Sequence, residues 1–500
     1  MKRILAFVVV LNCLSLAALA ETPELEPSRR AEQFVIAHVA AGELADLNEL
    51  PNPADRVLSS EFLADLWSDS GKSVKVHRHG VLIAHATFPD DVDLLNADIP
   101  FNVQLSDCHF LGDVELSQTH FKKNVVLSGS EFGSILNFVD AAVDGNLDLS
   151  NASFTDADGE ADLSGLRVGE LLDLRKAVFA GQALFIRDDI GGNIDAREAR
   201  FTHPSNEVSF DSIKVNGYAF FQNSVFASSA SFAYARVAEN FGADQAVFGK
   251  LAPDTRLIFN SLKVGRNAFF RSTIFNAAVD FSHAEVGGNF EPTQARFNVP
   301  DMATNFSGMK TDVADFQGAR FANDYLLDAM TYRELKADSV TDFVKHARFS
   351  SDAYANLESF LKRQGQDGEA NDVYIAQRRR ERRGLGLSGR IGSVLLDLLV
   401  GYGRRPWLAF AWSAVCVAAG WFVFRRRSDM EPSKPEYADR PYSPFWYSLD
   451  VFLPFVDLQA AGFWAPRRDR PFARTYAAIH TLLGWILIPI GLAAISGLVR

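Results

Sequence analysis

Cysteine is scarce: Cys13, Cys108 and Cys416 are the only three in 500 residues, and they lie far apart in the chain. That excludes a disulfide framework. Positive charge is scarce over most of the length. Residues 1–377 hold 32 Lys+Arg against 53 Asp+Glu, a net of −21, while residues 378–500 hold 18 against 9, a net of +9; together these give −12. An acidic body lacks the basic surface that nucleic acid requires, so no nucleic-acid partner is expected. No GxSxG elbow accompanies the many serines, and the paired glycines at 191–192 and 287–288 do not form a GxGxxG opening a helix. These absences lead to the expectation of a non-catalytic protein with no cofactor.

A repeat is present, and a repeat decides the fold. The blocks VDGNLDLSNASF (143–154), VGELLDLRKAVF (168–179), IGGNIDAREARF (190–201), VNGYAFFQNSVF (215–226), VAENFGADQAVF (237–248), VGRNAFFRSTIF (264–275) and VGGNFEPTQARF (286–297) share apolar anchors eleven residues apart. Phe88, Ile99, Phe110, Phe121, Phe132, Val143 and Phe154 carry that step unbroken. A further apolar or small residue lies five before the last anchor of a block, as Leu149, Leu174 and Phe221, and a small residue lies two before it, as Cys108, Ala152 and Ala177. Steps of five and six fit neither the 3.6 period of a helix nor the two-residue alternation of a straight strand. They fit a chain that turns a corner every five or six residues. Four sides make a coil of about 22 residues, and coils stack at about 4.8 Å. Gly191-Gly192-Asn193 and Gly287-Gly288-Asn289 are then corners of the repeat. The predicted fold is a right-handed parallel β-helix of roughly ten coils, with N-terminal capping helices and an α-helical C-terminal membrane region. Acidic residues such as Asp148 and Asp173, which alternate with inward Leu, are expected to face solvent.

Repeats such as GNLDLSNASF resemble degenerate pentapeptide repeats, with steps that alternate between five and six. The whole order of helices, solenoid, helical pair and apolar tail ending in LLGWILIPIGLAAISGLVR resembles bacterial membrane-associated pentapeptide-repeat proteins. The resemblance implies architecture more than activity.

The expected segments follow. Residues 1–20 read as a secretory signal, with Lys2 and Arg3, an apolar run and an Ala18-Leu19-Ala20 box that places cleavage between Ala20 and Glu21. Residues 21–80 form a helical cap, starting near Pro27 and again near Ser60. Residues 81–325 form the β-helix, 326–385 a helical linker, and 386–500 the membrane region. Trp407–Phe424 has no charged residue and spans about 27 Å at 1.5 Å per residue, enough for a bilayer core. Residues 476–499 make a second span. Residues 391–402 are shorter, contain Asp397 and read as an interfacial helix.

Candidate functional residues are few. Segment 443–466 holds Asp450 and Asp457 between the spans, and His480 lies within the second span; ionisable groups at membrane depth invite a functional reading. His77, His79 and His85 are more simply surface histidines than metal ligands, since no third ligand completes a site. The arginine run 378–383 reads as a lipid-facing or solvated helix end. The expected function is a scaffold or binding protein of the cell envelope, with lipid and a protein or envelope polymer as partners. The expected location is the inner (plasma) membrane with the solenoid on the extracytoplasmic side. Two alternatives are a channel-like or transport-associated two-span protein, and a glycan-acting β-helix enzyme.

Overall fold

The computed structural model describes residues 27–67, 75–250, 254–299 and 303–496. The expected cleavage site at Ala20 and Glu21, and Cys13, lie outside them. The chain forms two compact units, 1–348 and 349–500.

The first unit is a parallel β-solenoid of about eleven coils. Inward central positions follow at alternate steps of six and five: Phe88, Leu94, Ile99, Leu105 and Phe110 are all buried. The two step lengths have different corners. A five-residue step contains a tight turn whose third residue is left-handed, at His85, Asn96, Asp107, Gln118 and Asp140, with Gly129 in the same series. The next residue points inward and must be small to fit the bend. It is Ala97, Cys108, Thr119 or Ser130 in these turns, half-buried at Ala97 and fully buried at the other three. Where it carries a hydroxyl, that group satisfies a turn carbonyl: Thr119 donates to Leu94 O at 2.7 Å and Ser130 to Leu105 O at 2.8 Å.

Two faces of the solenoid are eleven-stranded parallel sheets. The other two merge into one twenty-one-stranded sheet, because the last coils run as single strands around the corner between them, at Glu285–Glu291, Lys310–Asp315 and Thr331–Lys336. Strand pairing is in register, so like residues meet: Phe88 pairs with Phe110, and Phe179 with Phe201. One column is phenylalanine throughout, from Phe88 to Phe321, with ring centroids 4.4–5.6 Å apart and planes within 15°. A second column stacks Phe185, Phe210, Phe232, Phe259, Phe281 and Phe306 at 4.6–5.6 Å. At about 4.8 Å per coil the rod is about 50 Å long.

Both ends are covered, as exposed strand edges require. At the start, helix α1 (Pro27–Ala41) buries Ala31, Val35 and Val39. It is shorter than the 3.6-period pattern suggests, because residues 45–46 leave the helix to pair with Ile83 and Ala84 and extend the first coil. Helix α2 (Ser60–Trp67) buries Leu63 and Trp67. At the other end the strands continue to Lys336. The short helix α3 (Val340–His346) then sets Phe343 against Phe316 at 4.6 Å and Tyr325 at 4.8 Å.

The second unit is helical. Helices α4 (Ser351–Arg363) and α5 (Asp367–Glu381) form a hairpin through Gly365, whose φ of +73° makes the turn. Helix α6 (Leu387–Val400) ends at left-handed Gly401 and leads into α7 (Trp407–Phe424). Helix α8 (Pro444–Phe452), the single turn α9 (Ala460–Phe463) and α10 (Pro471–Ile495) follow. Among the described residues only α7 and α10 are long and apolar enough to cross a membrane, and just 28% of each is buried, unlike the core helix of a soluble protein.

Candidate functional site

Two places bring polar groups together. The first is the core of the helical unit, where α8 packs against α7 and α10. Small residues permit the approach: a Cβ on Gly420 would sit 2.2 Å from Ser448 Oγ, and one on Gly484 would sit 1.7 Å from Phe452 O. This is close packing of the kind that joins helices in lipid. Ser448 Oγ donates to Val417 O at 2.8 Å. His480, fully buried, places Nε2 at 3.0 Å from Ser448 O and 3.2 Å from Ser448 Oγ. The carbonyl only accepts, so Nε2 carries the proton and Nδ1 is left as an acceptor. Nδ1 has no hydrogen-bond partner among aromatic neighbours that include Phe452 and Tyr476.

The three residues singled out from the sequence do not form one constellation. His480 meets Ser448, while Asp450 accepts from Leu458 N at 2.6 Å and Ala461 N at 2.7 Å. Asp450 thereby holds the loop after Pro454 against its own helix. Exposed Asp457 accepts from Gln459 N at 2.7 Å in a local turn. The partner of His480, Ser448, carried no signal beyond its place in an apolar segment.

The second place is one outer column of the solenoid. Asp148, Asp173 and Asp195 are in register on consecutive coils. Contrary to expectation, Asp173 does not face solvent: it is 3% exposed. Arg175 covers it with contacts of 2.6–3.0 Å, and Arg197 does the same for Asp195 at 2.5–2.8 Å. These hydrogen bonds raise the pKa of both guanidinia further above an already high value. A long side chain two residues further along the coil can fold back over the carboxylate, which a simple in–out alternation does not foresee. Each of these two carboxylates is therefore held by its own guanidinium. Further along the same column lie Phe220, stacked on Tyr218 at 5.5 Å, and Phe269, with Arg271 4.5 Å above its ring.

The histidines before the rod are held in the cap. His79 Nδ1 is 2.8 Å from Gly42 O, His77 Nδ1 accepts from His79 N at 3.3 Å, and His85 pairs with Asp46 at 2.8 Å. Among the described residues no group of three or more His, Cys, Asp or Glu is placed to hold a metal ion. Cys108 and Cys416 are both free, and burial pushes the Cys108 thiol up to about 12, far from thiolate chemistry.

The arginine run is exposed at Arg378, Arg379 and Arg383, and two of its members share one carboxylate. Arg379 makes a two-pronged contact with Asp397 of α6 at 2.8 and 2.9 Å, and Arg382 reaches the same carboxylate at 3.5 Å. Asp397, anomalous in an apolar helix, is thus the point that ties α6 to α5. No family model, curated protein or solved structure matches this chain.

Proposed function

We propose that the chain is a membrane-anchored, pentapeptide-repeat-like scaffold of the cell envelope, non-catalytic, whose outer columns bind a protein or an envelope polymer. In this reading α7 and α10 lie in the inner (plasma) membrane, residues 1–20 are removed on export, and the solenoid stands on the extracytoplasmic side.

The observation that carries the reading is the make-up of the rod. Its interior is filled by stacked rings, while its outer columns present ordered side chains at a fixed spacing over about 50 Å. Such a body is a ruler-like surface more naturally than a reaction vessel. The half-buried aromatic group of Tyr218, Phe220 and Phe269, flanked by arginines, is the patch on that surface best suited to a partner, since aromatic and Arg side chains dominate binding energy.

Two measurements test the proposal. Reporter fusions at Arg500 and in loop 425–440 should report extracytoplasmic and cytoplasmic locations respectively; the reverse pattern would place the rod in the cytoplasm. A photo-crosslinking residue at Tyr218 in the full chain should give a discrete adduct in intact cells that Phe220→Ser with Phe269→Ser abolishes. An adduct unaffected by those changes removes the patch from the proposal, and a steady conductance of the purified chain in bilayers would favour the transport reading instead.

A further inference from the structure

We infer that the helical unit holds one anionic phospholipid in the groove between α6 and α7. The inference rests on the membrane reading above and adds to it a built site of defined chemistry. The groove has a volume of about 640 Å³ and two unlike ends. Arg379, Arg382 and Arg405 line one end together with Asp397; Arg379 and Arg382 meet that carboxylate, Arg405 pairs with Asp372 beside the lining, and three guanidinia against two carboxylates leave a net charge of +1. The rest is apolar, with Val394 and Leu398 from α6 and Leu408, Trp412 and Val415 from α7.

The geometry is fixed by bonds that do not depend on a ligand. Gly401, Tyr402 and Gly403 all have positive φ and reverse the chain sharply between the two helices. Trp412 Nε1 donates to Leu398 O at 3.1 Å, which sets the width of the groove. Arg405 reaches Asp372 of α5 at 2.6 Å, and Arg404 reaches Glu358 of α4 at 2.6 Å while lying 4.3 Å over the Tyr374 ring. The basic end is thereby locked at the head of α7, beside the helix that begins with Trp407. A residue of that type, 62% exposed, belongs at the membrane–water interface.

A phospholipid matches both ends at once. Its phosphodiester is a single negative charge whose oxygens suit the planar donors of arginine. Its acyl chains cover the half of the groove formed by Leu398, Trp412 and Val415, which are 52%, 37% and 57% exposed. A free phosphate would leave that apolar half uncovered, and a zwitterionic headgroup would bring its own cation to a site that already has a surplus of them. Basic pockets between helices at membrane depth are a recurrent means of retaining anionic lipids.

The test uses the full chain extracted from membranes in mild detergent, with native mass spectrometry as the readout. Membrane fractionation beforehand judges the membrane reading separately: recovery in the soluble fraction would defeat that reading, whatever the lipid result. On mixing with phosphatidylglycerol or phosphatidylcholine, the chain should retain one phosphatidylglycerol in clear preference. Arg405→Gln with Arg382→Gln should reduce that preference by about fivefold per arginine removed, and the corresponding lysine changes should retain most of it. Leu398→Asn with Val415→Asn, which leave the arginines in place, should weaken retention of either lipid. Equal retention of the two lipids, or glutamine variants that bind as the native chain does, would overturn the inference. Displacement of the lipid by millimolar inorganic phosphate would overturn the lipid as occupant and leave a simple anion site.

Discussion

Asp188 occupies an inward corner position, in a column whose neighbouring coils place Leu166 and Ile213 there. It is 1% exposed, one oxygen accepts from Leu166 N at 3.2 Å, and Oδ2 has no partner. Burial pushes its pKa well above the usual carboxylate range, with the backbone donors only partly opposing it. A raised folded pKa means that the folded state binds the proton more tightly than the unfolded one. The associated stability is complete below the unfolded value near 3.8 and is lost as pH rises through the folded value. Asp188→Asn should therefore stabilise the solenoid at pH 8 by about 1–3 kcal/mol and by much less at pH 4, in denaturant unfolding followed at both pH values. A difference that does not change with pH would show that Asp188 does not ionise on unfolding. Nothing in the sequence marked Asp188 out. The eleven-residue step fixes which positions point inward, and Asp188 sits two before Ile190 where other blocks have Ala, but one aspartate among many looks like surface until its depth is known.

The elements are individually trivial, since most strands contain two residues, and their stability comes from stacking on the coils above and below. Asparagines at the corners show how the corners are tied together. Asn124 Oδ1 accepts from Asn146 N at 2.9 Å, Asn193 Oδ1 from Tyr218 N at 2.8 Å, and Asn267 Oδ1 from Asn289 N at 2.9 Å. The glycines beside them allow close approach, as a Cβ on Gly191 would lie 2.2 Å from Gly169 O. The Gly-Gly-Asn corners are thus rungs between coils. Phe201→Ala removes a ring that stacks on Phe179 at 5.0 Å and on Phe226 at 4.7 Å. It should cost about 3–5 kcal/mol in equilibrium unfolding of the solenoid. A cost below about 1 kcal/mol would mean that the neighbouring coils close the gap, contrary to a rigid stack. The capping helix α3 was not foreseen. Its seven residues have no repeat of their own, and it exists as a cover because Phe343 finds an unoccupied ring face at the last coil.

At the scale of the whole molecule the charge is divided as the two units are, −18 over residues 1–348 (30 Lys+Arg against 48 Asp+Glu) and +6 over residues 349–500 (20 against 14). The apolar faces of α6, α7 and α10 are exposed, with Leu387, Phe422 and Leu482 among the most open. The full chain should remain with membranes through an alkaline carbonate wash, and a chain ending at residue 348 should be released as a soluble acidic rod with the β-rich circular dichroism of the solenoid. Release of the full chain by the wash would mean that these faces are covered by protein and not by lipid.

Periodicity alone determined the solenoid, its stacked core and the two long apolar helices. These depend on local rules: which residues can point inward at steps of five and six, and how many uncharged residues reach across a bilayer. Only the tertiary structure decided the contacts made between distant positions. It brought Ser448 to His480 and bound Asp397 to the arginine run, and at shorter range it buried Asp173 under Arg175 and set Asp450 to hold a loop. Such pairings depend on where chain segments far apart in sequence meet, and a polar side chain announces its need for a partner without saying which one it will find.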